Sequence, residues 1–286
     1  MFQCKSKIFL DSGSAEETKQ VLDNLGFLDG QTTNPTYFAK SPEVQSRLAL
    51  GGKFSREEIY EFYREIVQKV SNLIPHGSVS IEVYADSRTK AEDMLAQGRE
   101  MFGWIPNAHI KLPTTTEGLK AAEMAVKERM RINMTVVFSQ EQAAAVYAAT
   151  RGAKRGDVFV SPFVGRQWDQ GINGLDLIKN IIKMYSQGDG HVMVLSASMR
   201  SLDQFLTCIH YGTDIITASK KFLDEWTGQG INWPDDKFQP VIAAEHQEIP
   251  YQEISLDKPW SEYNIKNDFT DMTLKKFTED WNALIR

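Results

Sequence analysis

The stretch VSIEVYA, residues 79–85, alternates apolar and polar side chains, and the fold prediction starts from this pattern. Successive side chains of a β-strand point to opposite faces, so one face of this strand would be apolar and the other polar. The apolar face holds Val79, Ile81 and Val83, and the polar face holds Ser80, Glu82 and Tyr84. In a closed barrel of parallel strands, the apolar set packs outward against helices and the polar set points inward, near the end that carries the active site.

Two further stretches, AHIKLP at 108–113 and INMTVVF at 132–138, repeat this alternation. The predicted outward residues are Ile110, Leu112, Ile132, Met134 and Val136, and the predicted inward residues are His109, Lys111, Asn133 and Thr135. We therefore expect polar side chains from several strands to converge inside the sheet.

Short apolar runs alternate with helical patterns over most of the chain, which is typical of β/α units and a parallel sheet. The predicted strands are 7–10, 26–31, 79–85, 108–112, 132–138, 157–161, 191–197 and 213–217. The predicted helices are 14–25, 55–73, 89–102, 116–130, 140–151, 175–186 and 202–211. Eight strands with intervening helices predict an α/β protein with a (β/α)8 TIM barrel. The alternative is an open doubly wound sheet, but the sequence has no Gly-x-Gly-x-x-Gly motif to favour it.

The pattern changes after residue 227, where the chain becomes polar and irregular. We expect a barrel catalytic domain at 1–227 and a C-terminal extension at 228–286. The last segment, 268–286, would form an amphipathic helix with an apolar stripe. The stripe consists of Leu274, Phe277, Trp281 and Leu284. It would pack on the barrel or on a neighbouring subunit.

Composition is that of an ordinary soluble protein, with 42% hydrophobic and 24% charged residues among 286. The formal net charge of -6 argues against binding nucleic acid through phosphate contacts. Cys4 and Cys208 lie far apart without zinc-ligand spacing, so they indicate neither a disulfide framework nor a metal site. No apolar run is long enough for a membrane span or a signal-peptide core, so we expect a cytoplasmic location.

Lys111 and Glu82 are candidate functional residues because each is a charged residue between apolar neighbours of a predicted buried strand. Lysine and glutamate are rarely buried unless they are paired. The two side chains could form a purely structural ion pair. Alternatively, desolvation favours the neutral amine of Lys111, which is a nucleophile toward a carbonyl carbon. Both possibilities stay open at this point.

Polar residues also end other predicted strands: Asp11, Thr32, Thr33, Asn34, Ser161, Ser198 and Arg200. For any single serine, threonine or asparagine, a solvated strand end or a turn is the commoner explanation. His109 is more often a packed, hydrogen-bonded residue than an acid or base. Arg166 has the alternative of a surface salt bridge with Asp169.

Taken together, these residues resemble the transaldolase family, whose Schiff-base-forming barrels include fructose-6-phosphate aldolase. The resemblance runs from about Lys7 to Thr217. The motifs that carry it are IFLDS with Asp11, DGQTTNP with Asn34, VSIEV with Glu82, HIKLPTTTEGLKA with Lys111, INMTVVFSQEQA with Asn133 and Thr135, VFVSPFVGRQWD with Ser161 and Arg166, and MVLSASMR with Arg200. TTNP, IKLPTTTEG and SPFVGR, in this order, are highly specific together.

The resemblance implies roles for these residues. Lys111 would form the Schiff base and Asp11 would exchange a proton with the C4 hydroxyl. Glu82 would shuttle protons through a water held near Thr135. The implied substrate-binding residues are Asn34, Ser80, Asn133, Ser161, Phe163, Arg166, Ser198 and Arg200. Of these, Ser161, Arg166 and Arg200 would hold the substrate phosphate. No cofactor and no metal are implied.

The implied activity is transfer of a dihydroxyacetone unit from a ketose phosphate, such as sedoheptulose 7-phosphate or fructose 6-phosphate, to an aldose phosphate in the pentose phosphate pathway. The expected partners are sugar phosphates and further copies of the chain in a homo-oligomer, with neither nucleic acid nor membrane. The alternatives are a lyase that releases free dihydroxyacetone and a non-catalytic sugar-phosphate-binding barrel. Aldolase members of the family resemble one another in carrying glutamine at the position of Glu82 and tyrosine at that of Phe163, so the transferase is favoured.

Overall fold

The protein is a closed barrel of eight parallel strands in a computed structural model that describes residues 6–241 and 244–286. The strands are β1 (Lys7–Asp11), β2 (Gly30–Thr32), β3 (Ser78–Glu82), β4 (Ala108–Pro113), β5 (Ile132–Val137), β6 (Val158–Pro162), β7 (Val192–Ser196) and β8 (Ile215–Ala218). Each strand pairs with its neighbours in the sequence, and β1 pairs with β8 to complete the ring. The predicted (β/α)8 barrel is confirmed, and the ring closure excludes an open sheet.

Helices connect the strands and cover the outside of the barrel. They are α1 (Ala15–Leu25), α2 (Pro35–Lys40), α3 (Pro42–Gly51), α4 (Arg56–Leu73), α5 (Ala91–Phe102), α6 (Thr116–Lys127), α7 (Gln140–Ala149), α8 (Val164–Trp168), α9 (Gly174–Tyr185), α10 (Leu202–His210), α11 (Lys220–Gly228) and α12 (Asp268–Asn282), with a 3-10 helix at Trp260–Glu262. Local capping starts several of them. Ser14 caps α1, and Ser55 and Glu58 form a capping box at the start of α4.

The second strand is shorter and begins later than predicted. The sequence pattern predicts it at 26–31, whereas the strand forms at Gly30–Thr32. Gly26 instead ends α1, because its φ of 79° lies in the left-handed region and its amide donates to the carbonyl oxygen of Leu22. The apolar run after α1 is therefore a helix end and a loop.

Four short helices, α2, α3, α8 and α11, are absent from the sequence prediction. Two of them carry a local signal that could have revealed them. Pro35 and Pro42 occupy the start of α2 and α3, directly after the capping residues Asn34 and Ser41. Proline is favoured at this position because its fixed φ suits the helix and its missing amide costs nothing there.

Apolar side chains form two clusters. The larger cluster lies between strands and helices and contains the predicted outward residues Ile81, Ile110 and Met134. The smaller cluster occupies the barrel interior and its mouth. Its members are Phe9, Val136, Phe138, Phe159, Phe163, Met193, Leu195, Ala197, Ile215 and Phe277.

Val136 departs from the predicted alternation. Strict alternation places it outward, but it belongs to the smaller cluster with Phe163 and Phe277. The register of β5 against β6 shifts between Met134 and Val137, and the φ of Val136 is 57°. A left-handed conformation costs a β-branched residue on the order of 1–3 kcal/mol. The prediction for Val136 is wrong because a bulge breaks the period of two.

The closing helix α12 packs on the barrel of its own chain. Phe277, Trp281 and Leu284 are buried, and Leu274 is half-buried. The Trp281 ring lies 5.4 Å from that of Phe38. The division of the chain at residue 227 stays a prediction.

Within the described residues, no helix has the length and apolar character needed to cross a bilayer. Cys208 is a buried thiol with no disulfide partner among the described residues. Cys4, the other cysteine of the sequence, lies outside the described residues.

Candidate active site at the carboxyl ends of the strands

Lys111 on β4 and Glu82 on β3 are cross-strand neighbours inside the barrel. Their side chains are each 4% exposed, and Lys111 Nζ lies 2.9 Å from Glu82 Oε2. Lys111 Nζ also donates a hydrogen bond of 3.0 Å to the carbonyl oxygen of Thr33. The ion pair that the sequence left as one possibility is therefore present, and it fixes the amine in the barrel interior.

The Glu82 carboxyl has an environment suited to proton transfer. Burial raises its pKa above the ordinary value, and the Lys111 charge offsets part of that rise. Glu82 Oε2 lies at ion-pair distance from Lys111 Nζ, although the angle between the two groups is poor for a hydrogen bond. Thr135 Oγ1 on β5 is buried without a hydrogen-bond partner among the described residues. A buried polar atom without a partner is costly, so the Thr135 hydroxyl is a candidate for binding a ligand.

Asp11 ends β1 and lines a cavity of about 320 Å³ at the carboxyl end of the barrel, here called the mouth cavity. Its Oδ1 accepts a hydrogen bond of 2.8 Å from Thr32 Oγ1. Burial raises the pKa of Asp11 above 3.8, while the charge of Lys111 and the bond from Thr32 oppose this rise. A carboxyl with a raised pKa is suited to accepting and returning a proton.

Asn133, Ser80 and Ser161 form one hydrogen-bonded chain inside the barrel. Ser161 Oγ donates to Asn133 Oδ1 at 2.7 Å, and Asn133 Nδ2 donates to Ser80 Oγ at 3.1 Å. All three residues are buried. Ser161 is therefore engaged in orienting Asn133, and its hydroxyl lies with this interior network and not on the wall of the mouth cavity.

The mouth cavity collects most of the remaining predicted site residues. Its wall includes Asp11, Asn34, Phe163, Arg166, Ser198 and Arg200. Asn34 also caps α2, since its Oδ1 accepts from the backbone amide of Tyr37 at 2.9 Å. The commoner explanation, a capping role, thus accounts for Oδ1 of Asn34, whereas its Nδ2 has no hydrogen-bond partner among the described residues.

The two arginines of the mouth cavity differ in their pairing. Arg200 forms a forked contact with Asp169, with Nη2 at 2.6 Å and Nε at 2.9 Å from the carboxylate oxygens. Arg166, which the sequence offered as the partner of Asp169, forms no salt bridge within the described part of the chain. Burial lowers the pKa of Arg166, and the nearby charge of Arg200 adds to that effect. The pairing alternative for Arg166 is therefore wrong: Arg200 takes that partner.

Gly165 and Tyr37 are among the residues of the site that the sequence did not predict. A Cβ on Gly165 would lie 2.4 Å from Arg200 Nη1, so glycine lets the guanidinium lie against α8. Gly165 belongs to the SPFVGR motif, which could have marked it as a residue of the site. Tyr37 lines the cavity, and the charge of Asp11 together with burial raises its pKa. No sequence pattern marked Tyr37.

His109 is a packed residue. Its ring stacks on Phe159 with centroids 4.1 Å apart, and its Nε2 lies 2.9 Å from the carbonyl oxygen of Gly156. Burial lowers its pKa to about 3, so the ring is neutral near pH 7. The structure thus agrees with the packed, hydrogen-bonded alternative.

A larger cavity, of about 590 Å³, lies beside Tyr147 and Asp189. Asp189 precedes β7 and so marks the amino end of the barrel, opposite the end where TIM barrels hold their active sites. No group of three or more His, Cys, Asp or Glu side chains in residues 6–241 and 244–286 is placed to hold a metal ion.

Comparison with known proteins agrees with this geometry. The sequence profile of the family described as "Transaldolase/Fructose-6-phosphate aldolase" matches residues 8–286. The chain is 37% identical over 217 residues to a "Probable transaldolase" of Dehalococcoides mccartyi, covering 76% of this chain and 88% of that protein. It is 33% identical over 244 residues to a "Probable transaldolase" of Bartonella henselae, covering 79% and 99% respectively.

Among solved structures, the chain is similar to a putative dehydratase from Mesorhizobium loti, with a TM-score of 0.50 and 11% identity. The match covers 76% of this chain and 55% of that one, and it concerns the barrel fold alone. Family membership rests on the sequence profile and the curated relatives. The chain belongs to the transaldolase/fructose-6-phosphate aldolase family.

Proposed function

We propose that this protein is a transaldolase, which transfers a dihydroxyacetone unit from a ketose phosphate to an aldose phosphate through a Schiff base on Lys111. The observation that carries the proposal is the environment of Lys111. Its buried amine is paired with Glu82 and lies within electrostatic reach of Asp11, which opens onto a cavity with two arginines.

The first steps form the imine. The neutral amine of Lys111 attacks the C2 carbonyl carbon of the ketose and gives a carbinolamine. Glu82, whose burial favours the protonated carboxyl, donates a proton to the departing hydroxyl, which leaves as water. A water bound between the Glu82 carboxyl and Thr135 Oγ1 would complete the relay, because Thr135 Oγ1 is buried without a hydrogen-bond partner among the described residues.

The next steps break and re-form a carbon–carbon bond. Asp11 takes the proton of the C4 hydroxyl, the C3–C4 bond breaks, and its electron pair moves into the iminium to give an enamine. The shortened aldose phosphate leaves. The enamine carbon then attacks the aldehyde of the acceptor, and Asp11 returns its proton to the new hydroxyl. Hydrolysis of the imine frees Lys111.

The arginines of the mouth cavity would bind the phosphate of either substrate. Guanidinium groups suit this role because they donate paired hydrogen bonds to phosphate oxygens. Arg200 is oriented beforehand by Asp169, whereas Arg166 contributes a positive charge with no salt-bridge partner among the described residues. Asn34 and Asn133 would bind substrate hydroxyls, with Ser80 and Ser161 orienting Asn133.

The main alternative is a lyase that protonates the enamine and releases dihydroxyacetone. Phe163 supports the transferase, because its ring lies on the cavity wall and packs edge-on against Phe138 at 5.6 Å. An apolar ring there cannot orient a water molecule toward the enamine, so the enamine persists until an acceptor arrives. The aldolase members of the family resemble one another in carrying tyrosine at the position of Phe163 and glutamine at that of Glu82.

A non-catalytic sugar-phosphate-binding barrel is the remaining candidate. Binding alone does not require a buried amine flanked by two carboxyls whose pKa values are raised by burial. From the resemblance to the transaldolase family, we further propose that the enzyme acts in the pentose phosphate pathway of the cytoplasm, as a homo-oligomer that uses sedoheptulose 7-phosphate or fructose 6-phosphate as donor.

The Schiff base is tested by borohydride reduction in the presence of fructose 6-phosphate, followed by peptide mass spectrometry. We expect one label per chain, on Lys111, and none in Lys111→Ala. Lys40→Ala is the matched control, because Lys40 is an exposed lysine on the wall of the same cavity and should leave labelling unchanged. Stoichiometric labelling of any other lysine would refute the mechanism.

Transfer is separated from cleavage by adding an acceptor. Fructose 6-phosphate alone should turn over slowly, and erythrose 4-phosphate should accelerate turnover strongly. Phe163→Tyr should shift the products toward free dihydroxyacetone. Rapid release of dihydroxyacetone by the unmodified protein, without stimulation by any aldose phosphate, would identify a lyase instead.

A further inference from the structure

The strained residue Val136 directly follows the proposed catalytic residue Thr135. Its left-handed backbone, with a φ of 57°, persists only if contacts with the surrounding structure hold it. Thr114, the residue directly after β4, holds the Thr135 carbonyl oxygen, because it donates to this atom through its amide at 3.0 Å and its hydroxyl at 2.8 Å. The Val136 carbonyl oxygen is held from a different part of the chain.

That second anchor is Thr270 on α12, whose Oγ1 donates to the Val136 carbonyl oxygen at 2.9 Å. Gln142 determines the direction of this bond, because its Nε2 donates to Thr270 Oγ1 at 2.8 Å and leaves the threonine proton for Val136. Gln142 is itself fixed, since its Oε1 accepts from the amide of Phe138 at 2.8 Å. Thr270 is 2% exposed, so water does not compete readily for the bond.

We infer that Thr270 is a positioning residue, which holds the Val136 bulge through its hydroxyl and thereby aims the Thr135 hydroxyl into the active site. The two anchored carbonyls fix the peptide groups before and after the Val136 Cα, and so fix its φ and ψ. Without the bond from Thr270, Val136 relaxes toward an ordinary strand conformation and Thr135 turns with it. This inference rests on the proposed role of Thr135 in proton transfer with Glu82.

Loss of the Thr270 bond should slow the proton-transfer steps without weakening phosphate binding. Arg166 and Arg200 lie on α8 and after β7, and neither contacts Thr270 through a hydrogen bond or salt bridge among the described residues. A small displacement of a catalytic group costs up to about 100-fold in rate. We therefore expect Thr270→Val, which keeps the shape and removes the hydroxyl, to lower kcat and the rate of borohydride trapping about 10-fold or more. The KM for fructose 6-phosphate should stay within about twofold.

Thr273→Val is the matched control. Thr273 lies on the same helix and is equally buried, but its hydroxyl donates to the Phe269 carbonyl oxygen of that helix, at 2.6 Å, and to no other atom of the described residues. This variant should retain the kinetics of the parent. Thr270→Ser keeps the hydroxyl and should recover most of the trapping rate. Equal kinetics in Thr270→Val and Thr273→Val, with the parent trapped normally at Lys111, would overturn the inference while leaving the proposed function intact.

A second measurement tests the Thr270 bond in a background where the residue at position 136 adopts its conformation without strain. Glycine adopts a positive φ without the cost that valine has, so the Thr270 bond should matter less in a Val136→Gly background. We expect the loss caused by Thr270→Val to be several-fold smaller in Val136→Gly than in the parent, which is a coupling measurable by a double-mutant cycle. Equal losses in both backgrounds would overturn the inference. Absence of trapping in the parent itself would instead refute the proposed function.

Discussion

Replacing Arg166 with alanine should raise the KM for phosphorylated substrates far more than it affects an unphosphorylated one. Arg166 is half-buried on the wall of the mouth cavity and has no salt-bridge partner among the described residues. Arg200 is already paired with Asp169, so the net positive charge available to a phosphate comes mainly from Arg166.

The magnitude follows from the value of a charge-assisted hydrogen bond. Such a bond contributes about 1.5–3 kcal/mol, and about 1.4 kcal/mol corresponds to tenfold in affinity. Loss of Arg166 should therefore raise the KM for fructose 6-phosphate about 10- to 150-fold. Part of the cavity wall is open to solvent, which places the expected value toward the lower end of this interval.

The assay compares two donors. Initial rates give the KM for fructose 6-phosphate, and the rate of borohydride trapping with dihydroxyacetone reports imine formation without a phosphate. Arg155→Ala is the matched control, because Arg155 lies before the amino end of β6 and pairs there with Asp214. Equal losses with both donors would show that Arg166 supports the fold and does not bind phosphate.

Two further predictions follow from burial. Because burial raises the pKa of Asp11 above its ordinary value of 3.8, the native state holds the carboxyl proton more tightly than the unfolded chain does. The carboxyl therefore destabilises the fold increasingly as pH rises from the pKa of the unfolded chain to the higher pKa of the native state. Asp11→Asn should therefore abolish turnover and raise the Tm by about 2 °C or more near pH 7, with a smaller increase near pH 4. An increase in Tm that does not depend on pH, or the same increase in Asp23→Asn at the exposed surface, would contradict this prediction. Deleting 268–286 should lower activity and Tm together, because it uncovers Phe38 and Tyr63, which pack on Trp281. Met272→Glu on the exposed face of α12 is the control. Unchanged kinetics and sedimentation of the shortened chain would refute the expectation.

Local sequence patterns were sufficient to predict the barrel and to assign Glu82 and Lys111 to its inner face. Alternation in 79–85 and 108–113 assigns Glu82 and Lys111 to one side of adjacent strands, and the register pairs them directly. This inference works because the direction of a strand side chain depends only on its position along that strand. The same rule fails at Val136, where a bulge changes the count, and at 26–31, where a glycine cap ends a helix.

Contacts between segments that are distant in the sequence were revealed by the tertiary structure and not by local patterns. Asp169 pairs with Arg200 and not with its near neighbour Arg166, Ser161 bonds Asn133 inside the barrel, and Thr270 reaches the carbonyl oxygen of Val136. No periodicity encodes these partners. They depend on how barrel closure brings together loops and strand ends that are far apart in the sequence, and on where α12 lies once it covers the mouth. Residue types and spacing thus determined which groups face inward, whereas three-dimensional packing determined which of them meet.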